Sequence, residues 1–233
     1  MVILVTTTGP SEAGGPLYPI TTPSFSNLLT QIADEIDDTT GEYQGQIQTA
    51  IYGAIRFCER NTYYFNETRD VTFSTVAGQA FYGAADEPHI ATLIRIQHAY
   101  IEENGQNLEL IRATPDYLEV IDDTLSSQNK PVLYTYINQE LRLYPVPNAV
   151  YTIRMQLGPY RLAPIEDSAD SNAWTTEAFD LIKARAKYLL YKDIIKDANF
   201  AAEALNDYNE QHAALMAETS DRHRTGVIKA TCF

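Results

Sequence analysis

The sequence predicts an α+β protein: an antiparallel helical bundle, made of an N-terminal helix pair and long C-terminal helices, with an inserted small mixed or antiparallel β-sheet domain and extended terminal arms. Three observations predict it. Apolar residues recur at helical spacing near both ends of the 233-residue chain and at a period of two in its middle. Each change of period coincides with turn or capping residues. Residues outside the periodic stretches are rich in Thr, Gly and Pro, or too few to bury a core. The expected organisation is an arm over residues 1–23, a helix pair over 24–66, a β-rich insert over 67–170, a helix pair over 171–221 and a tail over 222–233.

The first helix starts after Thr22-Pro23-Ser24, where a hydroxyl can cap the free amides, and Phe25, Leu28, Leu29, Ile32 and Ile36 mark its apolar face. It ends near Asp37 in the acidic group Asp34, Glu35, Asp37 and Asp38. Negative charge at a helix carboxyl end opposes the helix dipole, so a cation or solvent must offset it. After a short turn at Thr39-Thr40-Gly41, a second helix is expected over residues 42–63, with Ile47, Ile51, Ala54, Ile55 and Cys58 facing the first.

From Asp70 to Pro159 the segment reads as five to seven short strands interrupted by one helix. Val71 and Phe73 alternate with polar residues, and Gly78-Gln79 allows a reversal into an aromatic return strand at Phe81-Tyr82. Ile94, Ile96, His98 and Tyr100 are expected on one face of a long strand, which turns at Asn104-Gly105 into a strand over residues 108–112. Thr114-Pro115-Asp116 supplies a capping hydroxyl, a proline at the first helical position and an early acid for a helix over residues 116–123. Strands follow over residues 132–137 and 141–144, joined at Asn138-Gln139, and Tyr151, Ile153, Met155 and Leu157 mark one more.

Toward the C-terminus, Trp174 precedes Thr175-Thr176-Glu177, read as a hydroxyl cap with an early acid. Ala178, Leu181, Ile182, Ala186, Leu189, Leu190 and Ile194 form a broad apolar stripe, and a break is expected near Asp197-Ala198-Asn199. The final helix carries Phe200, Ala204, Leu205, Tyr208, His212, Leu215 and Met216 to about Ser220. The tail after it is apolar enough to dock on something.

Composition narrows the function. Residues 1–182 carry 9 Lys and Arg against 24 Asp and Glu, whereas residues 183–233 carry 8 against 7. A body this acidic repels phosphate, so it is not expected to grip nucleic acid, although repulsion suits a channel through which DNA slides. Acidic surfaces also simply keep proteins soluble. No apolar run approaches the roughly 20 residues that span a bilayer. The start Met1-Val2-Ile3-Leu4-Val5 lacks a basic flank and is short for a signal peptide, so synthesis in a cytoplasm is expected. Cys58 and Cys232 make neither a disulfide framework nor a zinc spacing, and no metal or cofactor is expected. Cys58 reads as a buried helix residue. No phosphate loop or nucleophile elbow occurs. Glu59, Glu67, Asp70, Glu102 and Glu103 could in principle serve a glycoside hydrolase, but 31 acidic residues make such groupings common. Glu67 is expected to hold the helix exit, by capping it or by pairing near Arg60 or Arg69. The four histidines read as packing or surface residues. The sixteen tyrosines fit either interfaces or sheet faces.

One junction is more specific than composition. A helical run ends in Arg60-Asn61-Thr62-Tyr63-Tyr64-Phe65-Asn66-Glu67 and passes into Val71-Thr72-Phe73-Ser74. Together with the acidic, Ala-rich stretch Ala201-Ala202-Glu203-Ala204-Leu205-Asn206-Asp207-Tyr208, it resembles the head-to-tail adaptor proteins of short-tailed bacteriophages. The resemblance covers roughly residues 24–220 and is most specific over residues 47–82. It implies a non-enzymatic virion protein, made in the host cytoplasm, that forms a ring, generally twelvefold, beneath the portal protein. The tail nozzle or tail-fibre proteins would bind its other end, and DNA would pass through without specific binding or membrane contact. Portal contact would fall to Thr225, Val227, Ile228, Lys229 and Phe233, and contact between subunits to Tyr64, Lys187, Lys192 and Tyr208. Another tail-completion or receptor-binding component, or a peptidoglycan-cleaving tail enzyme, is the alternative.

Overall fold

The structure is a computed structural model that describes residues 23–103, 105–165 and 170–223. The expected N-terminal arm, apart from Pro23, and the tail from residue 224 onward lie outside the described residues. Helix α1 spans Phe25–Glu35, with Ser24 Oγ accepting from the Asn27 amide at 3.2 Å and Phe25, Leu28 and Ile32 buried. Asp37 adopts a left-handed φ of 59°, which turns the chain, and the Asp38 carboxylate then accepts the Glu42 and Tyr43 amides at 3.0 and 2.9 Å. Helix α2 follows over Gln44–Cys58, burying Ile47, Ala50, Ile51, Ala54 and Cys58. It is shorter than expected, because residues 59–66 form a hydrogen-bonded turn in place of further helix.

The acidic end of α1 has the cationic offset that the helix dipole requires. Lys183 and Lys187 reach Glu35 at 3.0 and 2.7 Å. Burial pushes the Glu35 carboxyl up, but hydrogen bonds from Lys187 and Lys183 outweigh it and hold the group below the usual carboxylate range. A depressed folded pKa contributes stability above the unfolded value, about 4.3 for Glu, and loses it as pH falls through the folded value. Glu35→Gln is therefore expected to lower urea-unfolding stability at pH 7 and to converge on the wild type in acid. Parallel stability curves for the two proteins at every pH would contradict this.

Among the described residues the β-rich part contains ten strands. One sheet runs in the order β1 (Thr68–Ser74), β10 (Thr152–Leu157), β3 (Ile96–Glu103), β4 (Gln106–Glu109), all antiparallel. A second runs β2 (Phe81–Tyr82), β8 (Glu140–Tyr144), β7 (Leu133–Ile137), β5 (Ile111–Arg112), with β5 and β7 parallel. β6 (Gln128–Asn129) pairs in parallel with β9 (Val146–Pro147). Among the described residues two helices lie within this part, α3 (His89–Thr92) and α4 (Pro115–Ile121), where one was expected. The hairpin turns fall where expected: Glu103 pairs with Gln106 around Gly105 (φ 75°). Asn138 and Gln139 both take left-handed φ between Ile137 and Glu140, as a two-residue hairpin turn requires.

Three strand expectations need correction. Phe81-Tyr82 is not a return strand on β1: β1 pairs with β10, and β2 pairs with β8 in the other sheet. The stretch 108–112 is not one strand but divides at buried Leu110 between the two sheets. The inward face of β3 is Ile96, Ala99 and Ile101, not His98 and Tyr100. Gln156 pairs with His98 and Leu157 with Ile96, so Gln97 is an extra residue, and a one-residue bulge reverses which side chains face the core. His98 instead meets Glu109 at 2.8 Å at the surface. Val71 and Phe73 on β1, and Ile153, Met155 and Leu157 on β10, are buried as their alternation predicts.

α4 begins as expected at Thr114-Pro115. Past its end the Asp122 carboxylate accepts the Ser126 and Ser127 amides at 3.0 and 2.9 Å, and the Ser127 and Ser126 N–H groups hold its pKa down. Buried Arg142 donates to the Asp122 carbonyl at 2.6 Å, fastening this helix to β8.

The C-terminal part opens with α5 (Ala173–Thr176), which is capped by Asn172 and not by a threonine; the Thr175 hydroxyl supplies the reciprocal bond of the capping box. α6 (Phe179–Leu189) continues into a π-helical turn over Leu190–Ile195, and Lys196 (φ 61°) ends it. α7 (Ala198–His223) starts at the expected break, where Asp197 Oδ1 accepts the Asn199 and Phe200 amides at 2.9 and 3.1 Å. Ile194, expected in the apolar stripe, is exposed because the wider π turn rotates it off the face that Leu181 and Ile182 occupy. Phe200 and Met216 are exposed as well.

Among the described residues two large apolar cores result, beside a small cluster of Tyr191, Ala201 and Ala204. One gathers α1, α2, α5, α6 and α7 around Ile32, Ile51, Trp174, Ile182 and Leu215. The other lies against the sheets around Val71, Tyr82, Ile101, Leu141 and Met155.

Candidate functional site at the helix-to-strand junction

The two cores meet at the turn that follows α2. Asn66 is 0% exposed, its Oδ1 accepts the Tyr63 amide at 2.7 Å and its Nδ2 donates to the Asn61 carbonyl at 2.9 Å. Its own carbonyl accepts the Tyr160 amide at 3.0 Å, so this one residue closes the turn and ties it to the chain leaving the sheets. A second tie runs from the Arg161 Nε to Glu59 at 3.2 Å, and a third from Arg95 to the Thr62 hydroxyl at 3.3 Å.

Aromatic rings fill the inner side of the turn. Tyr63 and Phe65 stack at 5.4 Å, and Trp174, 1% exposed, stands edge-on to both at 5.8 and 5.0 Å. Rings set edge to face use the aromatic quadrupole as well as buried area. The Tyr63 hydroxyl meets His212 Nδ1 at 2.8 Å, and His212 stacks on Tyr208. Burial pushes the Cys58 thiol and the Tyr208 hydroxyl each up to about 12, and pushes Tyr63 higher still. These groups therefore stay neutral and act by packing and hydrogen bonding.

The last turns of α7 dock on the same place. Thr219 Oγ1 accepts the Tyr64 amide at 3.2 Å and donates to the Leu215 carbonyl at 2.7 Å. Tyr64 donates its hydroxyl to Glu177 at 2.6 Å, while the Arg222 guanidinium lies 3.6 Å from the centre of the Tyr64 ring. His223 bonds to Glu67. The Glu67 partner is thus the end of α7, and not Arg60 or Arg69 as the sequence implied. The exit of α2, the start of α5 and β1, and the end of α7 converge on Tyr63-Tyr64-Phe65-Asn66-Glu67.

Of the residues expected between subunits, Tyr64 lies in this hub. Tyr208 is 6% exposed and packs inside its own chain, Lys187 is engaged with Glu35, and Lys192 is exposed beside the Tyr188 ring at 5.6 Å. Thr225, Val227, Ile228, Lys229 and Phe233 lie outside the described residues. The carboxylates considered for catalysis are scattered among ion pairs: Glu59 with Arg161, Glu67 with His223, Asp70 and Glu102 with Arg154, and Glu103 with Lys130. A cleft of about 700 Å³ opens beside the hub, lined by Tyr52, Ile55, Glu59, Arg161, Ile165 and Trp174 among others. Among the described residues no cluster of His, Cys, Asp and Glu could hold a metal ion, and no helix is long and apolar enough to cross a membrane. The central part of Trp174 was not anticipated; its being the sole tryptophan was the available signal.

At this junction the helix ends are latched to the sheets through stacked rings, hydrogen bonds and ion pairs. The chain belongs to the family described as SU10 adaptor protein, whose model matches residues 23–230. That family places it among bacteriophage structural adaptor proteins. A shorter likeness is to proteins described as "Probable DNA-directed RNA polymerase subunit delta". It is 36% identical over 66 residues for those of Lactococcus lactis subsp. cremoris strains SK11 and MG1363. The match spans 27% of this chain and 35% of those relatives, about a third of their length.

Proposed function

We propose that the protein forms the ring that joins the portal to the tail nozzle of a short-tailed phage and leaves a passage for DNA. Family membership supports the adaptor role. The observation that carries the finer reading is the fastening of α7 to the hub by Thr219, Arg222 and His223, which gives the chain beyond residue 223 a fixed point of departure. From there Thr225, Val227, Ile228, Lys229 and Phe233 reach the portal. The sheet part, residues 67–170, is the side that meets nozzle or fibre proteins, and the helical parts, residues 24–66 and 171–221, pack side by side in a ring of twelve copies. Tyr64 and Lys192 are accessible for contact between neighbours. A net charge of −14 keeps passing DNA from adhering.

In this reading the protein stays monomeric until the portal orders its ends, so that assembly follows genome packaging. Native mass measured for the protein alone and after mixing with the portal ring of the same virus tests it. Conversion of a monomer into a portal-bound ring is the expected result. Deleting residues 225–233 should abolish portal binding while far-UV circular dichroism is unchanged. Undiminished binding by the truncated protein would overturn the assignment of the tail.

A further inference from the structure

α6 has two differently charged faces. Lys183 and Lys187 lie one turn apart and both reach Glu35 on α1. Arg185 follows Lys183 by two residues, about 200° around the helix, and so occupies the opposite face. There its guanidinium lies 3.9 Å from the centre of the Phe57 ring, 4.9 Å from that of Tyr188 and 5.3 Å from that of Tyr208. Its Nε is buried without a hydrogen-bond partner, and no ion pair reaches the group among the described residues. Arg142, the other deeply placed arginine with an open Nε, does donate to the carbonyls of Leu118 and Asp122. Phe57 is 40% exposed, so the aromatic cage around Arg185 opens at the surface. Stacked rings hold the plane of a guanidinium and leave its in-plane N–H groups free for a carboxylate.

The complementary groups stand on the other side of α7. Asp207 and Glu210 are exposed, lie one turn apart, and line a surface cleft of about 220 Å³ together with Asp180, Lys183 and Lys187. Neither carries an ion pair among the described residues, and exposed Glu203 extends the row by a further turn. One chain thus presents an unanswered cation on the Lys-free face of α6 and unanswered carboxylates beside the Lys face. A twofold contact would bring each of these faces against its own copy, cation to cation or acid to acid. A head-to-tail contact brings them together, and such contacts close into a ring where the rotation between successive copies closes.

We propose that Arg185, framed by Phe57 and Tyr188, receives Asp207 and Glu210 of the next copy, and that this contact sets the direction of packing around the ring. The inference rests on the ring reading above. The test uses full-length chains mixed with the portal ring. Asp207→Lys with Glu210→Lys changes exposed positions only, so the thermal midpoint should hold while the portal-bound ring falls at least about tenfold relative to wild type. Adding Arg185→Glu to that variant should restore the ring. In a Cys232→Ser background, Lys192→Cys with Asn206→Cys, exposed positions that flank the contact and leave its residues in place, should give a ladder of covalent multimers with a short thiol cross-linker once rings form, a readout independent of how Arg185→Glu folds. Rings that form normally with the two lysines, or rings of the cysteine variant without a ladder, would overturn this inference alone. Failure of the wild type to assemble on the portal would overturn the ring reading and this inference with it.

Discussion

Replacing Trp174 with alanine is expected to cost about 3–5 kcal/mol of unfolding free energy, the range for removing a large aromatic from a close-packed core. Trp174 is 1% exposed and meets Tyr63 and Phe65 edge-on, so its removal strips one wall from the ring cluster that holds the exit of α2. Collapse into the space is limited, because Tyr63 is fixed by His212 and by the side chain of Asn66. Urea unfolding followed by circular dichroism measures the loss, since the substitution removes the chain's one tryptophan fluorophore. A loss below about 1 kcal/mol would mean that the cavity closes and that the cluster is not rigid. Phe65 stacks in the same cluster but is only half-buried, so Phe65→Ala should cost less than Trp174→Ala.

Local signals and tertiary ones were unequally legible in the sequence. The cap at Ser24, the proline start at Thr114-Pro115, the turn at Asn138-Gln139 and the break at Asp197 act within four residues and were read correctly. So was the need for a cation at the end of α1, because the dipole argument requires a partner without naming it; Lys183 and Lys187 lie about 150 residues away in the chain. The face of β3 was misread because a bulge at Gln97 is a property of the pairing with β10, invisible in one strand alone. The supposed hairpin at Gly78-Gln79 failed for a related reason: turn chemistry allows a reversal but does not say which strand the chain joins next.

The candidate site divides in the same way. Its sequence, Tyr63-Tyr64-Phe65-Asn66-Glu67, stood out by its resemblance to the adaptor family, yet what each residue does depends on elements far along the chain. Phe65 needs Trp174, Tyr64 needs Glu177 and Arg222, and Glu67 needs His223. Arg185 could not be singled out at all from a helix that also carries Lys183, Lys187 and Lys192, because its cage comes from α2 and α7 as well as from its own helix.

Asn66 offers the sharpest test of how the hub works. Asn66→Ala leaves the Tyr63 amide and the Asn61 carbonyl without their side-chain partners in a fully buried place. At about 1–3 kcal/mol for each of the two unsatisfied buried groups, the expected loss is about 2–6 kcal/mol. Asn66→Asp separates the two bonds. The carboxylate still accepts from Tyr63, but it loses the donor to Asn61 and brings a buried negative charge against a carbonyl. Its folded pKa should therefore rise above the unfolded value of about 3.9. In that case the variant loses stability as pH rises from the unfolded value through the folded one, and recovers it in acid, where the protonated carboxyl can again donate to the Asn61 carbonyl. Asn66→Ala has no titrating group at this position and should differ from the wild type by a constant amount across that range. If Asn66→Asp and Asn66→Ala instead lose equal stability at every pH, the Asn61 bond is not what closes the turn. Because the Tyr64 amide and Thr219 join this turn to α7, both variants should also weaken portal binding through residues 225–233 more than their loss of helix content accounts for.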